Sequence, residues 1–118
     1  MANNSIIFHM CKNNEWQIAL VSGIYNGSSQ DVTDGFIHFS TADQILKSAE
    51  KHHNGQHDLV LLSVKVGFLG GALRWEKSRG GDLFPHLYGS LPIKAVIRVD
   101  HIELGPDGLH KFPQELSL

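Results

Sequence analysis

Apolar positions fall into short runs with two periods along this chain. One kind is dense or alternates every second residue, as strands do; the other recurs at i, i+3 and i+4, as one face of a helix does. Ser5 to Met10 reads as a first strand. Asn13 or Asn14 then caps a helix, with Asn14-x-x-Gln17 as a capping box and Trp16, Ala19 and Leu20 on one face. Gly23 stops it, and the polar stretch from Tyr25 to Thr33 reads as a surface loop. A second helix is expected from Thr41 to His53, with the stripe Ala42, Ile45, Leu46 and Ala49. Asp58 to Val66 begins as a solid apolar run, which predicts a central strand buried on both faces. Leu73 to Glu76 predicts a short strand, and Lys77 to Gly81 a flexible basic loop. Pro85, Gly89 and Pro92 predict an irregular or edge segment rather than a central strand. A last strand runs from Lys94 to Ile102, with Ile97 and Val99 alternating with Arg98 and Asp100. Residues 105–118 predict a coil packed through Phe112 and Leu116.

The chain is organised around Asp34 to Gln44. Asp34-Gly35 signals a turn. Phe36 to Phe39 suits a strand, and its alternation turns Ile37 and Phe39 inward and His38 outward beside Phe36. Thr41-x-x-Gln44 has the form of a capping box. His38 would therefore lie just before the free N–H groups of a helix N-terminus, which favour anions. The same cap also serves a helix with no ligand.

Together these elements predict one compact α+β domain with a curved, mostly antiparallel sheet and two amphipathic helices near the N-terminus. At 118 residues the chain is long enough for a core without disulfides or a structural metal. Net charge is -2 and basic residues do not cluster, so no nucleic-acid partner is expected. The single cysteine, Cys11, suits a reducing compartment as a buried thiol. With no membrane-length apolar run and no basic leader, the expected location is the cytoplasm. The expected state is a monomer or weak dimer.

Three stretches concentrate chemistry: Asp34 to Thr41, Arg74-Trp75-Glu76, and Phe84 to Gly89. They supply two imidazoles, a phenol, an indole and a carboxylate. These are groups that stack on planar rings and bond hydroxyls, as a nucleotide or sugar-like ligand requires. His38, Glu76 and His86 would also form a permitted ligand set for a metal-dependent hydrolase, but no HExxH or cysteine pair supports it, so no metal is expected. The histidines His52, His53 and His57 fit a solvated helix end as well as a metal site. A purely structural reading stays open too, with Trp75 and Phe84 in the core, Glu76 paired to an arginine and His86 a satisfied buried histidine.

The blocks Gly35-Phe36-Ile37-His38-Phe39-Ser40-Thr41 and Phe84-Pro85-His86-Leu87-Tyr88-Gly89, with Trp75-Glu76 between them, resemble the small bacterial proteins known as domain of unknown function 952. The resemblance runs from the first strand to Val96. It implies a fold like that of ADP-ribosyltransferases, which cleave NAD and transfer ADP-ribose. On that analogy His38 with Ser40 and Thr41 would bind the NAD ribose and Tyr88 would stack on nicotinamide. Glu76 would stabilise an oxocarbenium-like transition state, with His86 as a second polar contact or proton carrier. Glu76 precedes Tyr88 here, the reverse of the usual order in that larger group, and the later Glu103 has no motif around it. A non-catalytic nucleotide-binding module is the alternative.

Overall fold

The structure is a computed structural model that describes residues 5–113. Leu116, expected to anchor the tail, lies outside them. In chain order the elements are β1 (Ile6–Lys12), α1 (Asn13–Ser22), β2 (Ile24–Tyr25), α2 (Ser29–Asp34), β3 (Ile37–His38) and α3 (Ile45–His52). They continue with β4 (Leu59–Lys65), β5 (Leu73–Lys77), β6 (Leu83–Leu87), β7 (Leu91–Pro92), β8 (Val96–Leu104) and β9 (His110–Lys111).

The main sheet has the antiparallel order β1-β4-β8-β9. Its central strand is β4, where Leu59 to Val64 are all buried, as the solid apolar run predicts. One face of β1 and β4 holds Ile7, Cys11, Val60, Leu62 and Val64 against Trp16 and Ala19 of α1. The other face holds Phe8, Met10, Leu59 and Leu61 against Ile45 and Ala49 of α3. A smaller sheet, β3-β6-β5, adjoins it, and β2 pairs with β7. The two larger sheets meet at residues 39–40. Phe8 and Ser40 exchange two backbone hydrogen bonds at 2.8 Å each, while the Phe39 N–H donates to the Pro85 carbonyl at 3.0 Å. This joint gives the α+β domain its curled antiparallel form.

Several expectations are corrected. The described residues form three α-helices rather than two, because α2 occupies the segment read as a loop. Ser28 caps it: the Asp31 N–H donates to Ser28 Oγ at 3.3 Å and the Ser28 N–H to Asp31 Oδ2 at 2.7 Å. Helix α1 begins two residues earlier than the Asn14 box implies, with the Lys12 N–H bonded to Glu15 Oε1 at 3.1 Å. Helix α3 begins at Ile45, since residues 42–44 form a turn; only the Thr41 N–H to Gln44 Oε1 half of the expected box is made, at 3.0 Å. Leu20 and Leu46 are exposed, because each short helix buries a narrower strip than its apolar stripe.

Strand β6 is central in its sheet despite Pro85. In an antiparallel ladder a residue's N–H and C=O point the same way. Pro85 turns its carbonyl toward Phe39, just past the end of two-residue β3, so its missing N–H removes one bond at a place where the ladder is already ending. On β8 the expected alternation is present. Arg98 and Asp100 are half-buried and paired at 2.9 Å, whereas Ile97 and Val99 are exposed. The tail contains a further strand, β9, beyond a turn at Gly105, and Phe112 packs beside Ile102.

Truncating Leu62, fully buried between α1 and β4, removes both its contacts and its transfer free energy. Leu62→Ala is expected to cost about 3 kcal/mol in urea unfolding, whereas Leu46→Ala stays within about 0.5 kcal/mol.

Candidate functional site

The chemistry-bearing side chains gather where α2 and the smaller sheet meet the end of β1. Gly35, in the left-handed region at φ 87°, ends α2 and turns the chain into β3. Alternation then places Phe36 and His38 on one face and buried Ile37 and Phe39 on the other, as expected. Register sets His38 opposite His86 and Glu76 opposite Phe84. The rings of Phe36 and His86 stack, with centroids 4.2 Å apart, and the His38 and His86 rings lie 5.6 Å apart. Tyr88 closes the cluster 5.1 Å from Phe36, with the Arg74 guanidinium over its other side at 5.5 Å.

Two carboxylate–imidazole systems result. In the first, His86 Nδ1–H donates to Glu76 Oε1 at 2.8 Å, and the Tyr88 hydroxyl donates to the same oxygen at 2.7 Å. The bonds from His86 and Tyr88 hold the Glu76 carboxyl below its ordinary value. His86 is only 6% exposed, and its Nε2 has no partner among the described residues. In the second, His38 is clamped by two carboxylates. Nδ1–H donates to Asp31 Oδ1 at 2.5 Å and Nε2–H to Asp34 Oδ2 at 3.0 Å. The Asp31 hydrogen bond raises the His38 imidazole above its ordinary value, against the opposing pull of burial.

Asp31 is 3% exposed and serves four neighbours. Besides His38 Nδ1 and the Ser28 N–H, it accepts from the His38 N–H at 3.1 Å and lies 3.6 Å from His9 Nε2. Burial alone would push this carboxyl up. The hydrogen bond from His38, the His9 ring and the backbone N–H groups of Ser28 and His38 outweigh burial and hold it at about 2. His9, itself buried, donates from Nδ1–H to the His38 carbonyl at 2.6 Å, and its Nε2 lies 2.8 Å from the Tyr25 hydroxyl. Burial pushes the neighbouring Cys11 thiol up to about 12, so it is an inert core thiol. Gly27, at φ 95°, passes so close that a Cβ there would lie 2.6 Å from Asp31 Cβ.

His9, Asp31, Asp34, Phe36, His38 and His86 line a groove of about 1460 Å³, whereas Glu76 and Tyr88 are not among its lining residues. Residues of α3, including Lys47 and Lys51, and Cys11 of β1 line it as well. Four expected site residues thus come together: His38, Glu76, His86 and Tyr88. Ser40 and Thr41 also line the groove, but the Ser40 hydroxyl bonds Ser48 at 2.9 Å and both residues are buried at the sheet joint. The carboxylates Asp31 and Asp34 and the supports His9 and Tyr25 went unread in the sequence. Ser28-x-x-Asp31 is itself a capping-box pattern, and it was the available signal for α2. No group of three His, Cys, Asp or Glu side chains is arranged to hold a metal among the described residues. Both nitrogens of His38 are already turned to carboxylates, so the set His38, Glu76 and His86 does not converge on a common centre.

The description "protein of unknown function (DUF952)" belongs to the family that matches residues 10–99. The chain belongs to the DUF952 family. A crystal structure of protein CC0527 from Caulobacter crescentus is similar to it over 96% of this chain and 99% of that chain, at 41% identity and TM-score 0.91. The solution NMR structure of CC0527 matches 89% of this chain and 90% of its own, at 42% identity and TM-score 0.79. No curated protein matches. Among its described residues this DUF952 protein has no helix long and apolar enough to cross a membrane.

The clamp gives the protein a pH signature. His38 is raised above its ordinary 6.5, so its contribution is complete below that value and is lost as pH rises through the folded value. Asp31 is depressed from 3.8 to about 2, so its contribution is complete above 3.8 and is lost as pH falls toward 2. Stability from the clamp is expected to be greatest between these limits. Urea unfolding at pH 5.5 and pH 8 checks it: Asp31→Asn should cost about 3 kcal/mol at pH 5.5. The same variant should flatten the difference between the two pH values.

Proposed function

We propose that the groove binds a nucleotide-like small molecule of the ADP-ribosyl class, with NAD as the candidate substrate, and that His86 is the imidazole that works on it. The supporting observation is His86 itself: nearly buried, fixed at Nδ1 by Glu76, with Nε2 unclaimed in the groove wall. A carboxylate on Nδ1 sets the tautomer and leaves Nε2 to accept or return a proton. Phe36 offers a face for a planar ring, Asp34 accepts from a ribose hydroxyl, and Lys47 and Lys51, which also line the groove, suit phosphates. Glu76 and Tyr88 adjoin the lining residue His86 through the shared Glu76 oxygen. The resemblance to ADP-ribosyltransferases supplies the reaction. The C1′–N bond to nicotinamide breaks, an acceptor oxygen bonds C1′, and the acceptor's proton passes to His86 Nε2. Glu76 stabilises the developing positive charge on the ribose.

His38 takes a different part from the one the resemblance implies. With both nitrogens engaged, it orients Asp34 toward the ligand and reaches ribose through that carboxylate. Ser40 and Thr41 then shape the groove from the sheet joint. Non-catalytic recognition of the same ligand is favoured by one feature: Glu76, which transfer needs, already accepts from both His86 and Tyr88.

A ¹H–¹⁵N titration with NAD, ADP-ribose and nicotinamide tests the reading. Shifts are expected at Phe36, Glu76, His86 and Tyr88, with His86→Ala weakening binding at least tenfold while the spectrum stays dispersed. No shift at millimolar ligand would sink the proposal. Binding without release of nicotinamide over hours would select the non-catalytic form.

A further inference from the structure

Trp75 takes no part in the cluster around His86. It sits on β5 opposite Pro85, and alternation turns it to the face of the smaller sheet away from Glu76 and His86. Its side chain is 36% exposed, whereas Trp16 is buried in the core. Leu83, diagonal to Trp75 on β6, is exposed too, so the two make an apolar shelf on that face. Trp75 and Leu83 line the same groove as Phe36, His38 and His86. The groove therefore passes from one face of the smaller sheet to the other. The passage lies where β3 ends at His38 and the chain leaves the sheet; there Gln44 Nε2–H donates to the Leu83 carbonyl at 2.8 Å. Lys47, three residues after Gln44, lines the groove, as does Lys51 one turn further on.

We propose that Trp75 is the base-stacking residue of this groove and takes the purine of an ADP-ribosyl ligand on its indole face. This rests on the reading of the groove as a nucleotide site and adds what that reading lacks, a seat for the second ring. Phe36 and Trp75 lie on opposite faces of the smaller sheet, so a ligand that touches both is extended and carries a planar group at each end. The groove, at about 1460 Å³, exceeds the roughly 300–1,000 Å³ of an ordinary small-ligand pocket, as such a two-ended ligand requires. Indole offers a broad π face, and stacking on it needs no hydrogen-bond pattern from the base. Asp43 and Asp82, the residues before Gln44 and Leu83, also line the groove and can accept from an exocyclic amino group, which favours adenine.

Tryptophan fluorescence of the full chain tests this, because the only other tryptophan, Trp16, is buried in the core. ADP-ribose and AMP are expected to quench the emission. Nicotinamide mononucleotide, which lacks the purine, should leave it unchanged while shifting the Phe36 and His86 amides. Trp75→Leu should weaken ADP-ribose about tenfold, the loss of one base–aromatic stack, and leave nicotinamide mononucleotide binding as in wild type. Trp75→Phe keeps a stacking face and should recover most of that loss. ADP-ribose that binds Trp75→Leu as tightly as wild type overturns the proposal while the reading of the groove stands. Quenching by nicotinamide mononucleotide but not by AMP overturns it equally, since the indole would then hold the other ring. Quenching by AMP with no shift at Phe36 or His86 from any ligand leaves Trp75 as a base site and overturns the NAD reading instead. Neither quenching nor shifts with all three ligands overturns both.

Discussion

The Asp31 carboxylate is the contact on which the local architecture depends. It closes the N-terminal cap of α2, fixes the backbone and ring of His38 in β3, and faces His9 from β1. Two consecutive elements, α2 and β3, and the more distant β1 are thus referred to one buried charge. A buried carboxylate is tolerable only when fully bonded. Its neighbours do more than stabilise it: they make any movement of one element felt by the others.

That constraint explains the shape of the groove wall. The smaller sheet is short, and β3 contributes two residues to it. Such a sheet holds its register weakly by ladder bonds alone. The clamp on His38 and the joint from Phe8 to Ser40 and from Phe39 to Pro85 supply what the ladder lacks. Phe36 is thereby held flat on His86, and the bond to Glu76 occupies Nδ1 of His86. The family assignment and the CC0527 structures establish the fold; the chemistry is argued from these contacts.

Legibility in the sequence followed the range of the interactions. The central strand was readable because Leu59 to Leu62 needs no partner to declare burial, and the outward turn of His38 because alternation is local. The bond from His86 to Glu76 crosses a hairpin, and no spacing rule announces it. Helix α2 was missed because six polar-rich residues carry no apolar stripe; its stability lies in the Ser28 and Asp31 cap. The centrality of β6 was masked by Pro85, whose missing donor matters only on the side where β3 ends. On β8 Arg98 and Asp100 sit half-buried as an ion pair, a contact that a hydrophobic count does not record.

Gly27 bears on all of this without any chemistry of its own. The space a methyl group would need at that residue is the space the Asp31 side chain fills. A substitution there would act as a wedge, transmitted through the carboxylate to the His38 ring and the His9 ring. Activity lost through Gly27 would therefore report a displaced neighbour and not a lost contact. The tolerance of this loop to change is set by space that the Asp31 side chain already occupies.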